Sequence, residues 1–162
     1  MINSFRMSVE SIKNNWENIK FVVKNTTREF QLPVEEYTKA LEPEKSATFI
    51  MGVFDGNIVI GLILYRFTGS DTDLREILIL DKYQKQGIGK QFLSRFIGEI
   101  REHLYKNQEN SCGRYITIQV NSNKIKLISF YKNSGFVKIT SRYPYPSLVK
   151  HDVMELDLHT TK

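Results

Sequence analysis

Glu76-Ile77-Leu78-Ile79-Leu80-Asp81-Lys82-Tyr83-Gln84-Lys85-Gln86-Gly87-Ile88-Gly89-Lys90 carries an apolar strand pattern straight into a glycine-containing turn that opens an amphipathic helix. The N–H groups of a helix's first turn have no intrahelical acceptor, and the positive end of the macrodipole stands behind them. A strand that ends at such a helix mouth is therefore a ready site for a diphosphate held mainly by backbone. Gly87 and Gly89 let the main chain approach a ligand where a side chain would block it. The helix that follows places Ile88, Phe92, Phe96, Ile100 and Leu104 four residues apart, a stripe suited to packing on a sheet.

Spacing separates three phosphate-binding patterns. A nucleoside-triphosphate loop needs Gly-Lys followed by Ser or Thr after a longer loop, but Gly89-Lys90 is followed by Gln91. The dinucleotide fingerprint needs a third small residue, and Leu93 stands there. Gln84-x-x-Gly87-x-Gly89 fits neither. Downstream, Arg114-Tyr115-Ile116-Thr117-Ile118-Gln119-Val120-Asn121 alternates as a strand, and a helix ending in Phe130-Tyr131-Lys132-Asn133-Ser134-Gly135-Phe136 follows.

These two segments, in this order, resemble the two signature motifs of the GNAT superfamily of acetyl-CoA-dependent N-acetyltransferases, over about the last two thirds of the chain. The resemblance implies an α+β fold with a mixed, mostly antiparallel sheet flanked by helices. It implies acetyl-CoA as co-substrate, with Gln84, Lys85, Gln86, Gly87, Ile88, Gly89 and Lys90 around its pyrophosphate. The backbone of Ile77, Leu78 and Ile79 would pair with the pantetheine arm, and Leu78 and Phe130 would line its path. Tyr131 falls where the family places the proton donor for the departing thiolate. The family's cofactor-facing Asn commonly lies seven residues before that Tyr. Lys124 occupies the position here, with Asn123 one step earlier, so Asn123 is the candidate cofactor contact and an N-cap role for Asn123 or Ser122 is its alternative.

Amine acetylation also needs a base, because a primary amine is mostly protonated at neutral pH. Glu76, on the strand leading to the turn and on the face opposite Ile77 and Ile79, is the candidate. Asp73 is the alternative carboxylate, and Gln119 occupies a position on the later strand where other relatives carry an acid. The acceptor is expected to be an amine of a small molecule or a peptide, with Tyr37, Tyr143 and Tyr145 as candidate lining residues.

Composition agrees with one compact enzyme domain over residues 1–162, since a chain of this length and 41% hydrophobic content supplies a single core. The longest apolar run, residues 58–65, falls far short of the roughly 20 residues a membrane helix needs, and the N-terminus lacks a signal-peptide pattern. Cys112 is the only cysteine, so no internal disulfide forms and the cytoplasm is the expected compartment. No Cys or His set has metal-ligand spacing, so no metal is expected. The net charge of +5 invites a nucleic-acid partner, but bases and acids are interleaved along the chain and a polyphosphate cofactor calls for positive potential as well. Nucleic acid is thus not the expected partner. A noncatalytic acyl-CoA-binding module and a toxin acting on aminoacyl-tRNA are the competing functions, and the sequence leaves a monomer or a homodimer open.

In the N-terminal part, Ser8 is expected to cap a helix with Val9, Ile12, Trp16 and Ile19 on one face. Phe21-Val22-Val23 is expected as a short strand, and Pro33 to start a helix that Pro43 ends. Residues 47–55 and 58–67 should form a hairpin turned at Asp55-Gly56-Asn57, with a polar loop over residues 68–73. No N-terminal segment declares itself as the family's first strand.

Overall fold

The computed structural model describes residues 1–26, 32–69, 71–106, 113–144 and 148–160. Among them seven strands form one mixed, mostly antiparallel sheet in the order β1-β2-β3-β4-β5-β7-β6, with helices flanking it. The strands are Ile2–Arg6 (β1), Thr48–Asp55 (β2), Ile58–Phe67 (β3), Asp71–Ile79 (β4), Tyr115–Asn121 (β5), Val137–Arg142 (β6) and His151–Asp157 (β7). The helices are Val9–Asn14 (α1), Trp16–Asn25 (α2), Val34–Thr38 (α3), Pro43–Ser46 (α4), Ile88–Lys106 (α5) and Ile125–Asn133 (α6). The chain packs as two compact units, one of Met1–Arg66 with Leu74–Phe96 and one of Phe67–Asp73 with Ile97–Lys162.

In the first unit, β1 pairs antiparallel with β2 from Ile2↔Asp55 to Arg6↔Met51, which identifies the first strand. Ser8 caps α1 as expected, its Oγ accepting from Ser11 N–H at 3.1 Å. The expected strand at Phe21-Val22-Val23 is instead part of α2. Ile19, Val22 and Val23 recur at helical spacing and are buried, while Phe21 is exposed, so one apolar face overrides a run of three β-formers. Pro33 immediately precedes α3 as expected, whereas Pro43 opens the short α4 at its first position, where a missing N–H costs nothing. The β2–β3 hairpin forms with Asp55 paired to Ile58, so the turn is the two residues Gly56-Asn57 rather than three.

Beyond that turn, Ile60 is an extra residue on β3, since Val53 pairs with Gly61 and Phe54 with Val59. A Cβ on Gly61 would stand 2.6 Å from the Leu78 carbonyl oxygen and 2.5 Å from Ile79 Cδ1. Glycine here lets the end of β4 lie tight on β3, which fixes where the chain leaves the sheet. The core of this unit includes Ile50, Ile60, Leu62, Ile63, Leu64, Phe92, Leu93 and Phe96, with Tyr65 and Phe96 edge-on at 5.0 Å.

In the second unit, β5 pairs with β7 along its whole length and β6 pairs with β7 outside it. Asp71–Asp73 of β4 pair parallel with Tyr115–Thr117 of β5. Residues 71–73 are therefore strand, not the expected loop, and the turn before them is closed by Thr68 N–H donating to Asp71 O at 2.9 Å. Thr72, Ile116, Ile118, Val120, Met154 and Leu156 point inward by simple alternation. Arg114 grips Asp157 through two guanidinium nitrogens, its Nη2 reaching Oδ2 at 2.6 Å, and holds that carboxyl down at about 2.

Asp152 is the one buried carboxylate of β7. Its Oδ1 accepts from Ser122 Oγ at 2.7 Å and Ser141 Oγ at 2.9 Å, and Lys138 Nζ lies 2.9 Å away. The Ser122 bond, with Lys138 and Ser141, lowers the carboxyl from the ordinary 3.8 to about 2 against the opposing effect of burial. The folded value lies below the unfolded one, so this stabilisation is complete above about pH 4 and fades as pH falls toward 2. Asp152→Ala is expected to cost about 1–3 kcal/mol at pH 7 by stranding the two hydroxyls and the ammonium. Thermal unfolding should show the gap to wild type narrowing between pH 4 and pH 2; a gap independent of pH would show that the carboxylate's charge is not what is lost.

Candidate active site

The candidate anion site is built where β4 ends. Leu80 N–H donates to Ile60 O at 2.9 Å, holding the strand's exit against β3. A single 3₁₀ turn, Asp81–Tyr83, then reverses the chain, and Gln84 N–H closes it on Asp81 O at 3.1 Å. The strand therefore reaches the glycine turn through one extra turn rather than directly. The Gln84 side-chain amide donates to Ile79 O at 2.8 Å and Asp81 Oδ1 at 3.0 Å. Gln84 thus braces the turn from behind. Tyr83 Oη donates to Asp55 Oδ2 at 3.2 Å, and Gln86 Nε2 to Lys82 O at 2.9 Å, so both flanks of the loop are tied down.

Two residues of this loop have left-handed backbone, Lys85 at φ +59 and Gly87 at φ +80. A lysine in that region carries a strain cost that glycine avoids, so the loop shape is held by its surroundings. The helix α5 starts at Ile88, whose buried side chain anchors the first turn to the core. The first helical bond is Gln91 N–H to Gly87 O at 3.1 Å, which leaves the N–H groups of Ile88, Gly89 and Lys90 ahead of any intrahelical acceptor. A Cβ built on Gly87 or Gly89 meets nothing within 4 Å. At Gly87 the backbone angle accounts for glycine. At Gly89 neither backbone angle nor packing does, and open space over first-turn amides is what an approaching phosphate group requires. Lys85 and Lys90 are exposed beside it.

On β4 of the same unit, Glu76 is half-buried and its Oε2 accepts a hydrogen bond from the Tyr37 hydroxyl. Tyr37 is fully buried, so its ring does not line a surface for the acceptor as expected. Beside this pair, Arg75 Nη2 lies 3.8 Å from Glu36 Oε2, and Lys39 Nζ donates to Glu36 Oε1 at 2.7 Å. Ile77 is half-buried, whereas Leu78 and Ile79 are buried. Among the described residues Asp71–Asp73 of β4 pair with β5, and β4 continues to Ile79.

In the second unit, Tyr131 lies on α6, 2% exposed, with Phe130 and Phe136 edge-on at ring distances of 5.2 and 5.5 Å. Asn123 is exposed, and its N–H donates to Asn121 Oδ1 at 2.9 Å while Lys124 N–H donates to Asn121 O at 2.9 Å. The residue preceding α6 is Lys124, so neither Asn123 nor Ser122 is its N-cap; Ser122 Oγ is committed to Asp152. Gln119 is exposed and accepts from Arg142 Nε at 3.1 Å. Tyr143 is exposed, and Tyr145 and Cys112 lie outside the described residues. Among the described residues no group of three or more His, Cys, Asp or Glu is arranged to hold a metal. No described helix is long and apolar enough to cross a membrane.

Sequence spacing located the turn and the helix mouth, but not the Tyr37–Glu76 pair, whose members lie 39 residues apart. Nor did it show the left-handed Lys85, because lysine carries no signal for that conformation.

Known structures share this architecture. The ribosomal-protein-S18-alanine N-acetyltransferase from Escherichia coli superimposes with a TM-score of 0.78 at 14% identity, over 100% of this chain and 97% of that one. A ribosomal-protein-alanine N-acetyltransferase from Brucella melitensis gives 0.68 at 14% identity over 96% and 99%. A GNAT family acetyltransferase from Elizabethkingia anophelis with acetyl-CoA bound gives 0.69 at 15% identity over 96% and 97%. No curated protein sequence matches this one. The family model described as the acetyltransferase (GNAT) domain matches residues 17–158, which spans both units, the helix mouth and Tyr131. The chain therefore belongs to the GNAT acetyltransferase family.

Proposed function

We propose that this protein is an acetyl-CoA-dependent N-acetyltransferase that passes the acetyl group directly to an amine of a small molecule or peptide. The observation that carries this is the mouth of α5, where first-turn amides stand under open space at Gly89. The residues present fit coenzyme A: its pyrophosphate would meet the N–H groups of residues 85–90, with Lys85 and Lys90 adding charge. Gln84 contributes by bracing the loop. The backbone of Ile77 to Ile79, at the end of β4 just before the 3₁₀ turn, is the candidate partner of the pantetheine arm. Asn123, exposed at the entrance to α6, remains the candidate second cofactor contact.

Glu76 is the proposed base. Its carboxylate takes one proton from the acceptor ammonium, and the freed lone pair forms the C–N bond at the acetyl carbon. The C–S bond then breaks, and Tyr131 gives its phenolic proton to the departing thiolate. The phenol is restored by the second proton that the nitrogen sheds as the amide forms. Residues 1–162 act in this scheme as one catalytic domain, in the cytoplasm, where a lone cysteine stays reduced.

Incubating the protein with acetyl-CoA and a panel of amines and N-terminal peptides, and following free thiol, tests the activity. Binding without thiol release on any acceptor would indicate a noncatalytic acyl-CoA module; activity confined to aminoacyl-tRNA would indicate the toxin-like alternative.

Gly89→Ala should lower coenzyme A affinity about ten- to hundredfold, the worth of one charge-assisted hydrogen bond. The unfolding midpoint should hold or rise, because Ala favours helix over Gly by roughly 0.5–1 kcal/mol. Calorimetry showing wild-type affinity would remove the cradle. Tyr131→Phe should reduce kcat by more than about tenfold, within the usual reach of general acid catalysis, with coenzyme A affinity unchanged; a wild-type kcat would assign thiolate protonation elsewhere. Glu76→Gln should flatten the acidic limb of the pH–rate profile, and an identical limb would pass the role to Asp73 or to water.

A further inference from the structure

Tyr37 is completely buried on α3, and its hydroxyl donates to Glu76 Oε2 on β4. A buried tyrosine must find a partner for its O–H, which is the ordinary account of such a bond. Dependence in the opposite direction is the more informative. A glutamate has three side-chain torsions, and at a half-exposed strand position its carboxylate has several rotamers of similar energy. Tyr37 has two torsions, both fixed by the packing around its ring. A rigid donor of this kind selects one place for the carboxylate.

The neighbouring residues repeat the link. Glu36 and Tyr37 are consecutive on α3, and they reach Arg75 and Glu76, consecutive on β4. Glu36 is itself held by Lys39 at 2.7 Å, and Pro33 fixes the backbone that enters α3. The register of α3 on β4 is thus set by two adjacent side-chain pairs, one ionic and one a hydrogen bond to the proposed base.

We infer that Tyr37 is a positioning residue for Glu76, holding its carboxylate where it takes the proton from the acceptor amine. This rests on the proposed role of Glu76. A carboxylate has about four lone-pair sites, so accepting one bond from Tyr37 does not exhaust it. Displacing a catalytic group by about 1 Å costs on the order of a hundredfold in rate, so a fixed donor behind the base has a large kinetic effect without touching substrate. Tyr37, being buried, reaches the acceptor site through Glu76 and not by direct contact.

The test compares wild type, Tyr37→Phe, Glu76→Gln and the double variant. Thiol release is followed with the most active amine of the panel, and coenzyme A calorimetry and thermal unfolding are run on each protein. Tyr37→Phe is expected to fold, to keep its coenzyme A affinity and its KM for acetyl-CoA, and to lose about ten- to hundredfold in kcat. In the Glu76→Gln background the same change should cost nothing further. Glu76→Asp, which withdraws the carboxylate from Tyr37 while keeping its charge, should lose a similar factor and decides the matter even if Tyr37→Phe folds poorly. If Glu76→Gln keeps wild-type kcat, the base assignment fails and the role of Tyr37 falls with it. If Glu76→Gln is impaired while Tyr37→Phe and Glu76→Asp are not, the base stands and this inference is overturned. Equal losses from Tyr37→Phe in both backgrounds would overturn it as well.

Discussion

A helix cannot satisfy the N–H groups of its own first turn, and everything proposed for this protein depends on how α5 presents that unsatisfied end. Its position is dictated from below. Gly61 admits the end of β4 close against β3, Leu80 is bonded to Ile60, and buried Ile88 plants the first turn in the core. Between those fixed points seven residues, 81–87, must reverse direction, which they do with a 3₁₀ turn braced by Gln84 and two left-handed residues, Lys85 and Gly87. Apolar packing sets the geometry, and the geometry aims the amides. The open space at Gly89 is what remains for a ligand.

The strand that delivers the chain to this turn also carries the proposed base. Glu76 stands three residues before Ile79, on a strand where buried Leu74 and Leu78 lie two residues to either side of it, and its carboxylate is tied to Tyr37 of α3. In the proposed scheme, binding of the thioester carrier and removal of the amine's proton fall to one continuous segment, residues 76–90. Tyr131 belongs to the other unit and packs in an aromatic cluster with Phe130 of α6 and Phe136 just beyond that helix. On β7 of that unit, Asp152 gathers Ser122, Ser141 and Lys138 around one oxygen, joining β7 to β6 and to the segment after β5.

From residue 47 onward the order of elements was legible because alternation, the Gly56-Asn57 turn and the four-residue stripe of α5 each agree with the final packing. The N-terminal third was not. Ile2-Asn3-Ser4-Phe5-Arg6 has no two-residue alternation, because an edge strand that is mostly exposed is not required to have one. Val22 and Val23 resembled a strand until Ile19 placed them on a helical face. Asp71–Asp73 looked like loop because their strand character comes from a parallel partner more than 40 residues away, which no local pattern encodes. The spacing of Gln84, Gly87 and Gly89 marks the turn that precedes α5, yet the direction of the Gln84 side chain is set by Ile79 O and Asp81, not by the motif. The Tyr37–Glu76 bond likewise exists only in three dimensions.

The central claim is that main-chain N–H groups at the start of α5 hold the diphosphate of a thioester carrier. Titrating isotope-labelled protein with coenzyme A and following backbone amide resonances tests it most directly. The account predicts that the largest saturable shifts fall on residues 85–90, with Gly89 foremost. Shifts that leave those amides unmoved at saturating coenzyme A would contradict it.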